Sequence, residues 1–215
     1  MVQIKKLSET SYTINDVHEF IKNVYEKRAD AGIHFQALSK STETIEHRIM
    51  DNHGIVFIAL DECTQELLGT GTILFHYDER NVPYAGFILA AVRPDVQGQG
   101  IGNLLRQRRE QCAREHGCHY IISSTASKAE SSIQYHLKNG AKKYGFSSST
   151  NSDYYSISFR KELVGSFKGS SLYCFIRYQL TKTKTKLWFR EDGGYTKFGS
   201  FCFNIIKKLR KHHCI

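Results

Sequence analysis

Three glycines at alternate positions, Gly98, Gly100 and Gly102, lie in the segment VRPDVQGQGIGNLL, between an apolar run and a Leu-rich run. Glycine loses more backbone entropy on ordering than any other residue, so such a cluster usually meets a steric demand. The unbonded N–H groups at the start of a helix bind phosphate where no side chain blocks the approach. Gln97 and Gln99 add side-chain donors, and the segment therefore predicts a pyrophosphate-binding turn.

Three phosphate-binding motifs compete for this segment. A Walker loop ends in Gly-Lys-Ser/Thr, whereas Gly102 is followed by Asn103. The dinucleotide fingerprint needs the spacing G-x-G-x-x-G near the first strand of its domain, and neither condition is met. The pattern Gln/Arg-x-x-Gly-x-Gly/Ala fits QGQGIG at residues 97–102. The alternative is a tight turn without a ligand, which three glycines with no bulky neighbour disfavour.

Hydrophobic periodicity and turn residues predict the elements that must position this turn. The apolar run 83–92 is predicted to be the strand before it, and residues 100–116 the helix after it. The whole order is strand, two helices, three strands, helix, strand, helix and two strands, at 2–7, 13–28, 39–51, 54–60, 67–77, 83–92, 100–116, 119–125, 127–140, 142–146 and 153–163. A meander of strands followed by strand–helix–strand predicts a mixed α/β sheet with helices on its faces.

This order and the glycine turn together resemble the GNAT family of acyl-CoA-dependent N-acyltransferases. Residues 92–105 are similar to the family pattern V-x-P-x-x-R/Q-G-x-G-I-G-x-x-L. HYIISST, SSIQYHLKNG and DYYSISFRKEL also fall where the family places a strand, a helix and a closing strand. The resemblance covers residues 2–163. It implies a mixed, mostly antiparallel central sheet flanked by helices, with acetyl-CoA as co-substrate.

The resemblance also implies which residues hold the co-substrate. The strand before the turn separates from its neighbour in this family, and the pantetheine arm lies in the gap. The backbone of Ala90 and Val92 would then bond that arm. The pyrophosphate would be held by the backbone of the turn, at Gln97, Gly98, Gln99, Gly100, Ile101 and Gly102.

The implied reaction is direct attack of an amine on a thioester, so the departing thiolate must gain a proton. Many family members use a Tyr that stands four residues before a Gly-Phe pair. Gly140 matches that glycine, but His136 occupies the Tyr position and Ala141 replaces the Phe. Two alternatives for the acid follow: His136 itself, or Tyr135 if the helix is rotated by one residue. Each also has an ordinary packing role as its alternative.

The amine must lose a proton, and the sequence does not identify the base. The third apolar strand, where some members carry a carboxylate, has none. His34, His76 and Tyr84 are candidates by their place in the sequence alone, and a relay through water is the other option.

The formal charge of +9 is concentrated in the last quarter of the chain. Residues 1–160 contain 18 basic and 18 acidic residues, whereas residues 161–215 contain 12 basic and three acidic ones. This asymmetry predicts an acetyltransferase domain at 1–163 and a basic, aromatic-rich extension at 164–215. Within the extension we expect a strand at 171–180, a hairpin at 186–198 and an amphipathic basic helix at 201–213.

The extension suggests several kinds of partner. We expect a homodimer arm whose charges face water, and the alternatives are a nucleic acid, a membrane surface or an anionic substrate. The sequence contains no run of eighteen apolar residues and no apolar signal-peptide core at its start, which predicts a cytoplasmic protein without a transmembrane segment. Six cysteines without Cys-x-x-Cys spacing predict reduced thiols and no metal site: Cys63, Cys112, Cys118, Cys174, Cys202 and Cys214.

The resulting hypothesis is an N-acetyltransferase that transfers the acetyl group of acetyl-CoA to a primary amine. The expected acceptor is a small molecule or an amino-sugar. One alternative, suggested by the missing Tyr, is a protein that binds acyl-CoA without turnover. Another is an interaction or nucleic-acid-binding protein that acts through its basic extension.

Overall fold

The computed structural model describes residues 1–26, 41–148, 154–165, 170–191 and 194–202. The elements in this part of the chain are β1 (Val2–Lys6), α1 (Ile14–Glu26), α2 (Thr42–Asp51), β2 (Ile55–Asp61), β3 (Leu67–Tyr77), β4 (Pro83–Val92), α3 (Ile101–Glu115), β5 (Tyr120–Ala126), α4 (Glu130–Lys138), β6 (Lys142–Ser147), β7 (Ser156–Glu162) and α5 (Ser170–Trp188). The predicted order of elements up to β7 is confirmed, with boundaries that shift by up to three residues.

The seven strands form one sheet in the order β1-β2-β3-β4-β5-β7-β6. The first four strands make an antiparallel meander, and β4 pairs with β5 in parallel. A parallel pair needs a crossover connection, and α3 supplies it between β4 and β5. The predicted fold, a mixed sheet flanked by helices, is confirmed.

The chain forms two compact units. The first contains β1 to β4, α1 to α3, the residues 120–124 of β5 and the end of β7 from residue 160. The second contains α4, β6, α5 and the residues 156–159 of β7.

The core of the first unit lies on both faces of the sheet. Strand residues alternate between the faces, so Val56 and Ile58 of β2 point one way and Phe57 the other. The first face packs against Ile21 of α1 and Ile49 of α2. The second packs against α3 through its own buried residues, Ile101, Leu105, Cys112 and Ala113. Helices therefore pack against both faces of the sheet in the first unit.

One prediction for the second unit is wrong. Residues 171–180 do not form a strand, because they belong to the 19-residue helix α5. The Thr181 hydroxyl accepts a hydrogen bond from the Phe146 amide at 3.0 Å, and the Thr185 hydroxyl donates to the Phe146 carbonyl at 2.9 Å. Cys174 and Tyr178 are buried on the same side of the helix. One face of α5 therefore packs along β6.

Of the hairpin predicted at 186–198, only the part that follows the end of α5 at Trp188 is confirmed. Phe189 and Tyr195 form an antiparallel bridge, and the Arg190 amide donates to the Gly194 carbonyl at 2.7 Å. Residues 192–193 lie outside the described residues. Most of the helix predicted at 201–213 lies outside them too.

Candidate functional site

The turn before α3 has the backbone that only glycine adopts without strain. Gly98 has φ +80° and Gly100 has φ +87°, both in the left-handed region. A Cβ atom built on either residue would meet nothing within 4 Å. The two glycines therefore meet a conformational demand and leave open space in front of the turn.

Gly100 is also the N-terminal cap of α3 and has no side chain to bond the exposed amides. Among the residues that the structure describes, the amides of Gly98, Gln99 and Gly100 have no hydrogen-bond acceptor within the chain. Three such donors at the positive end of a 15-residue helix make a site for an anion. This arrangement fits the diphosphate of a CoA ester.

Gln97 has a different role from its neighbours in the turn. Its amide donates to the Pro94 carbonyl at 3.3 Å, and its side-chain amide donates to the Val92 carbonyl at 2.8 Å. Gln97 therefore bonds the turn to the end of β4, and one of its two side-chain N–H donors is already used.

A β-bulge interrupts β4 at residues 89–90, close to its end at Val92. Thr72 pairs with Ile88 and Thr70 with Ala91, so β4 has one more residue than β3 between these pairs. Leu89 in the bulge has φ +51°, which is rare for a residue with a Cβ. Such strain persists only where the surrounding structure imposes it, and it concentrates at functional sites.

Tyr25 of α1 holds the bulge from one side. Its hydroxyl donates to the Ala90 carbonyl at 2.8 Å. That carbonyl oxygen therefore already accepts one hydrogen bond within the chain.

The pairing of β4 with β5 stops before the bulge. The pairing of the two strands runs from Tyr84 with Tyr120 to Phe87 with Ser123. β4 continues to Val92 in its pairing with β3. In the part of the chain that the structure describes, however, residues 88–92 of β4 have no pairing partner in β5. An extended ligand can add to such an edge as another strand would. Ala90 and Val92, predicted to contact the pantetheine arm, lie in this segment.

His76 lies on β3 beside the paired part of β4. Its ring is 5.2 Å from that of Tyr84, and its Nε2 atom lies 3.2 Å from where a Cβ on Gly86 would stand. Burial lowers the pKa of His76, and the positive charge of Arg48 lowers that pKa further. The imidazole is therefore neutral at pH 7 and can accept a proton. The sequence named His76 only by its place in the chain, and it did not indicate that the ring would lie next to Gly86 of β4.

Tyr84 is held in a stack of rings. It lies parallel to Tyr120 with ring centres 5.1 Å apart, and the Arg160 guanidinium covers the Tyr120 ring at 3.5 Å. The Tyr120 hydroxyl donates to Asp78 at 3.0 Å. These contacts give Tyr84 a packing role.

The two candidates for the acid, Tyr135 and His136, lie on α4 in the second unit. The His136 ring stacks on Phe159 with centres 4.6 Å apart, and Tyr135 meets His136 edge-on at 5.8 Å. Both side chains are half-buried. Their role as the acid stays a prediction, and His34 lies outside the described residues.

The remaining sequence expectations concern cysteines, metals and membranes. The five cysteines that the structure describes are free thiols, and Cys214 lies outside this set. The described ranges contain no group of three His, Cys, Asp or Glu residues that could hold a metal ion. Nor does any described helix have the length and apolar character needed to cross a membrane.

Comparison with known proteins places this geometry in a family. Residues 18–141, more than half of the chain, match the family described as Acetyltransferase (GNAT) family. No curated protein matches the sequence.

Several solved structures share the fold. One is an N-acetyltransferase from Staphylococcus aureus Mu50, with a TM-score of 0.60 and 16% identity over 77% of this chain and 99% of that chain. The NatC complex bound to Gag peptide and CoA gives 0.59 and 11%, over 76% and 99%. YncA of Salmonella typhimurium, solved with its cofactor acetyl-CoA, gives 0.56 and 14%, over 78% and 96%. The chain belongs to the GNAT family of acetyltransferases.

Proposed function

We propose that the protein is an N-acetyltransferase that transfers the acetyl group of acetyl-CoA to a primary amine of a small molecule or amino-sugar. The observation that supports it most is the open glycine turn at the start of α3, next to the unpaired edge of β4. The family match supports acetyl transfer in general. The amine acceptor and the cytoplasmic location come from the sequence expectation.

Two parts of the backbone bind the co-substrate in this proposal. The amides of Gly98, Gln99 and Gly100 donate to the diphosphate, where the helix dipole adds a favourable field. The edge of β4 at residues 88–92 bonds the amide groups of the pantetheine arm. Acetyl-CoA, when bound, supplies a thioester carbon and a thiolate leaving group.

The reaction forms one N–C bond and breaks one C–S bond. The amine nitrogen loses a proton and the sulfur gains one, so a base and an acid are needed. The base in this scheme is either a water relay or His76, whose lowered pKa leaves it neutral but which pairs with Tyr84 at the other end of β4 from the bulge. Tyr135 or His136 is the acid in this scheme, as the resemblance implies.

Calorimetry with CoA tests the glycine turn. In a Gly100→Val variant, the side chain fills the open space and strains a residue at φ +87°. We expect the affinity for CoA to fall by about tenfold or more, because donors to a charged group contribute about 1.5–3 kcal/mol each.

Gly117→Val is the matched control for this strain. Gly117 also has a positive φ, +68°, and open space around it, but it follows the other end of α3. This variant should lose similar stability and keep its affinity. If Gly100→Val binds CoA as tightly as the wild type, the turn does not hold the diphosphate.

Release of thiol from acetyl-CoA across a panel of amines separates an enzyme from a binding protein. Turnover that weakens in Tyr135→Phe or His136→Ala identifies the acid. If the protein binds CoA tightly but no amine releases thiol, the alternative of acyl-CoA binding without turnover replaces the proposal.

A further inference from the structure

Helix α5 has a second apolar face besides the one that packs on β6. Six large apolar side chains of this helix are between 47% and 66% exposed. They are Leu172, Tyr173, Phe175, Ile176, Leu180 and Leu187. Exposed apolar groups that are contiguous mark an interaction surface more often than isolated ones do.

The spacing of five of these residues puts them on one side of the helix, and Phe175 falls outside that side. Leu172, Ile176 and Leu180 follow one another at intervals of four, and Leu187 comes seven residues later. At about 100° per residue these positions form one stripe. The stripe lies roughly opposite Tyr178, which is buried on the face toward β6. We call it the outer stripe of α5.

Cations flank the outer stripe on both sides. Lys184 and Lys186 are exposed and fall on opposite edges of it by helical position. The helix also contains Arg177 and Lys182 and has no Asp or Glu along its 19 residues. The partner of this face must therefore accept apolar side chains and supply negative charge.

A second copy of the chain meets only the first requirement. Packing two outer stripes about a twofold axis would bring Lys184 and Lys186 of each copy against a helix that contains no acidic residue. Like charges in contact destabilise an interface. An anionic lipid surface meets both requirements, since apolar side chains enter the acyl boundary while lysines bind the headgroups.

We propose that α5 docks the protein on an anionic lipid surface through its outer stripe. The surface would hold one apolar face of the helix while β6 holds the other. This inference is independent of the acetyl transfer proposed above, because it uses other residues and needs no acetyl-CoA.

Sedimentation of the full chain with phospholipid vesicles tests the proposal. We expect binding to vesicles that contain phosphatidylserine and little binding to phosphatidylcholine alone. Lys184→Gln combined with Lys186→Gln should weaken it by about 30-fold, the conversion of about 1 kcal/mol per surface lysine. Ile176→Ser combined with Leu180→Ser should weaken it by roughly tenfold or more, because apolar insertion is lost.

Two exposed residues on other helices give matched controls. Met50→Ser removes an apolar side chain of α2 that is 66% exposed, and Lys138→Gln removes an exposed charge of α4. Both variants should bind vesicles like the wild type. Circular dichroism on all variants checks that they are folded.

Several outcomes would overturn the proposal. One is equal binding to neutral vesicles, and another is no binding at all. A third is vesicle binding that Ile176→Ser with Leu180→Ser leaves unchanged. A dimer in sedimentation velocity that the same pair dissociates would assign the stripe to a second copy. Retention of nucleic acid without vesicle binding, lost in the Lys184→Gln and Lys186→Gln pair, would assign it to that polyanion.

Discussion

His76 shows how much of the candidate site depends on the surroundings of single residues. A histidine ordinarily titrates near pH 6.5, but burial and Arg48 lower the pKa of this one. Gly86 leaves room for the ring beside β4, and the Tyr84 ring contacts it as well. The pKa of His76 therefore depends on neighbours from α2, β3 and β4, and no local sequence motif indicates these contacts.

If His76 is the base, His76→Gln should lower kcat/KM by about 10²–10⁴-fold, the usual contribution of such a group. The wild-type rate should fall as the pH drops through the lowered pKa of His76, below 6.5, because only the neutral ring accepts a proton. Thiol release measured across pH checks both expectations. His119→Gln, an exposed histidine before β5, is the control. A His76→Gln variant that keeps the wild-type pH profile would contradict the assignment.

Glu110 is a buried charge with a structural role. Its carboxylate bonds Arg106 and Lys161 at 2.6 Å each. Burial alone raises the pKa of Glu110, but the bonds from Lys161 and Arg106 outweigh burial and the pKa is lowered. The folded state therefore binds a proton less readily than the unfolded chain, and this stability is lost as the pH falls through the lowered pKa.

Glu110→Gln should reduce the free energy of unfolding by about 3 kcal/mol at pH 7, because it removes the charged partner of Arg106, Lys161 and Arg114. Glu115→Gln is the control, since its contact with Arg108 is exposed and 3.7 Å long, and it should cost less than about 1 kcal/mol. Urea denaturation measures both. The gap between the two variants should close in acid, and a gap that persists there would refute the electrostatic cause.

At the scale of elements, β4 was predicted with its correct bounds but without its bulge. The strand is visible in the sequence because an apolar run is a local signal. The bulge depends on the register with β3, and the bond that holds it joins Tyr25 to Ala90, which are 65 residues apart.

The prediction of a strand at residues 171–180 failed for another reason. Apolar residues lie on two faces of α5, so its helical period is hidden and its aromatic content favours a strand.

Tyr25→Phe tests the bond that holds the bulge. Removing the hydroxyl leaves the Ala90 carbonyl without this donor, and we expect a loss of about 1 kcal/mol in the free energy of unfolding. Tyr77→Phe, at the exposed end of β3, should change stability little. Equal effects in the two variants would mean that the bond does not stabilise β4.

At the scale of the whole molecule, the fold was predictable because its core pattern is regular. β2 alternates between two helical layers, and the glycine turn marks where β4 joins α3. The packing of α5 on β6 was not predictable from charge, since it uses Thr181 and Thr185, which are neutral.

The thiols report on global unfolding. Cys112 and Cys118 are buried in the first unit, and burial raises the pKa of Cys118 to about 11. Because the thiolate is the reactive form, iodoacetamide should label the exposed Cys63 in the native state and these two only after unfolding. Peptide mapping by mass spectrometry along a urea series measures this. Native labelling of Cys118 at the rate of Cys63 would contradict the packing of α3.

The glycine turn at the start of α3 also bears on how far such a sequence can diverge. Its donors are main-chain amides, so what it requires is the lack of side chains at Gly98 and Gly100. Saturation mutagenesis should find these two positions intolerant and the exposed Gln99 between them permissive. If the turn binds the diphosphate as proposed, a lineage can exchange most of its surface residues and keep these donors, because they depend on two glycines alone.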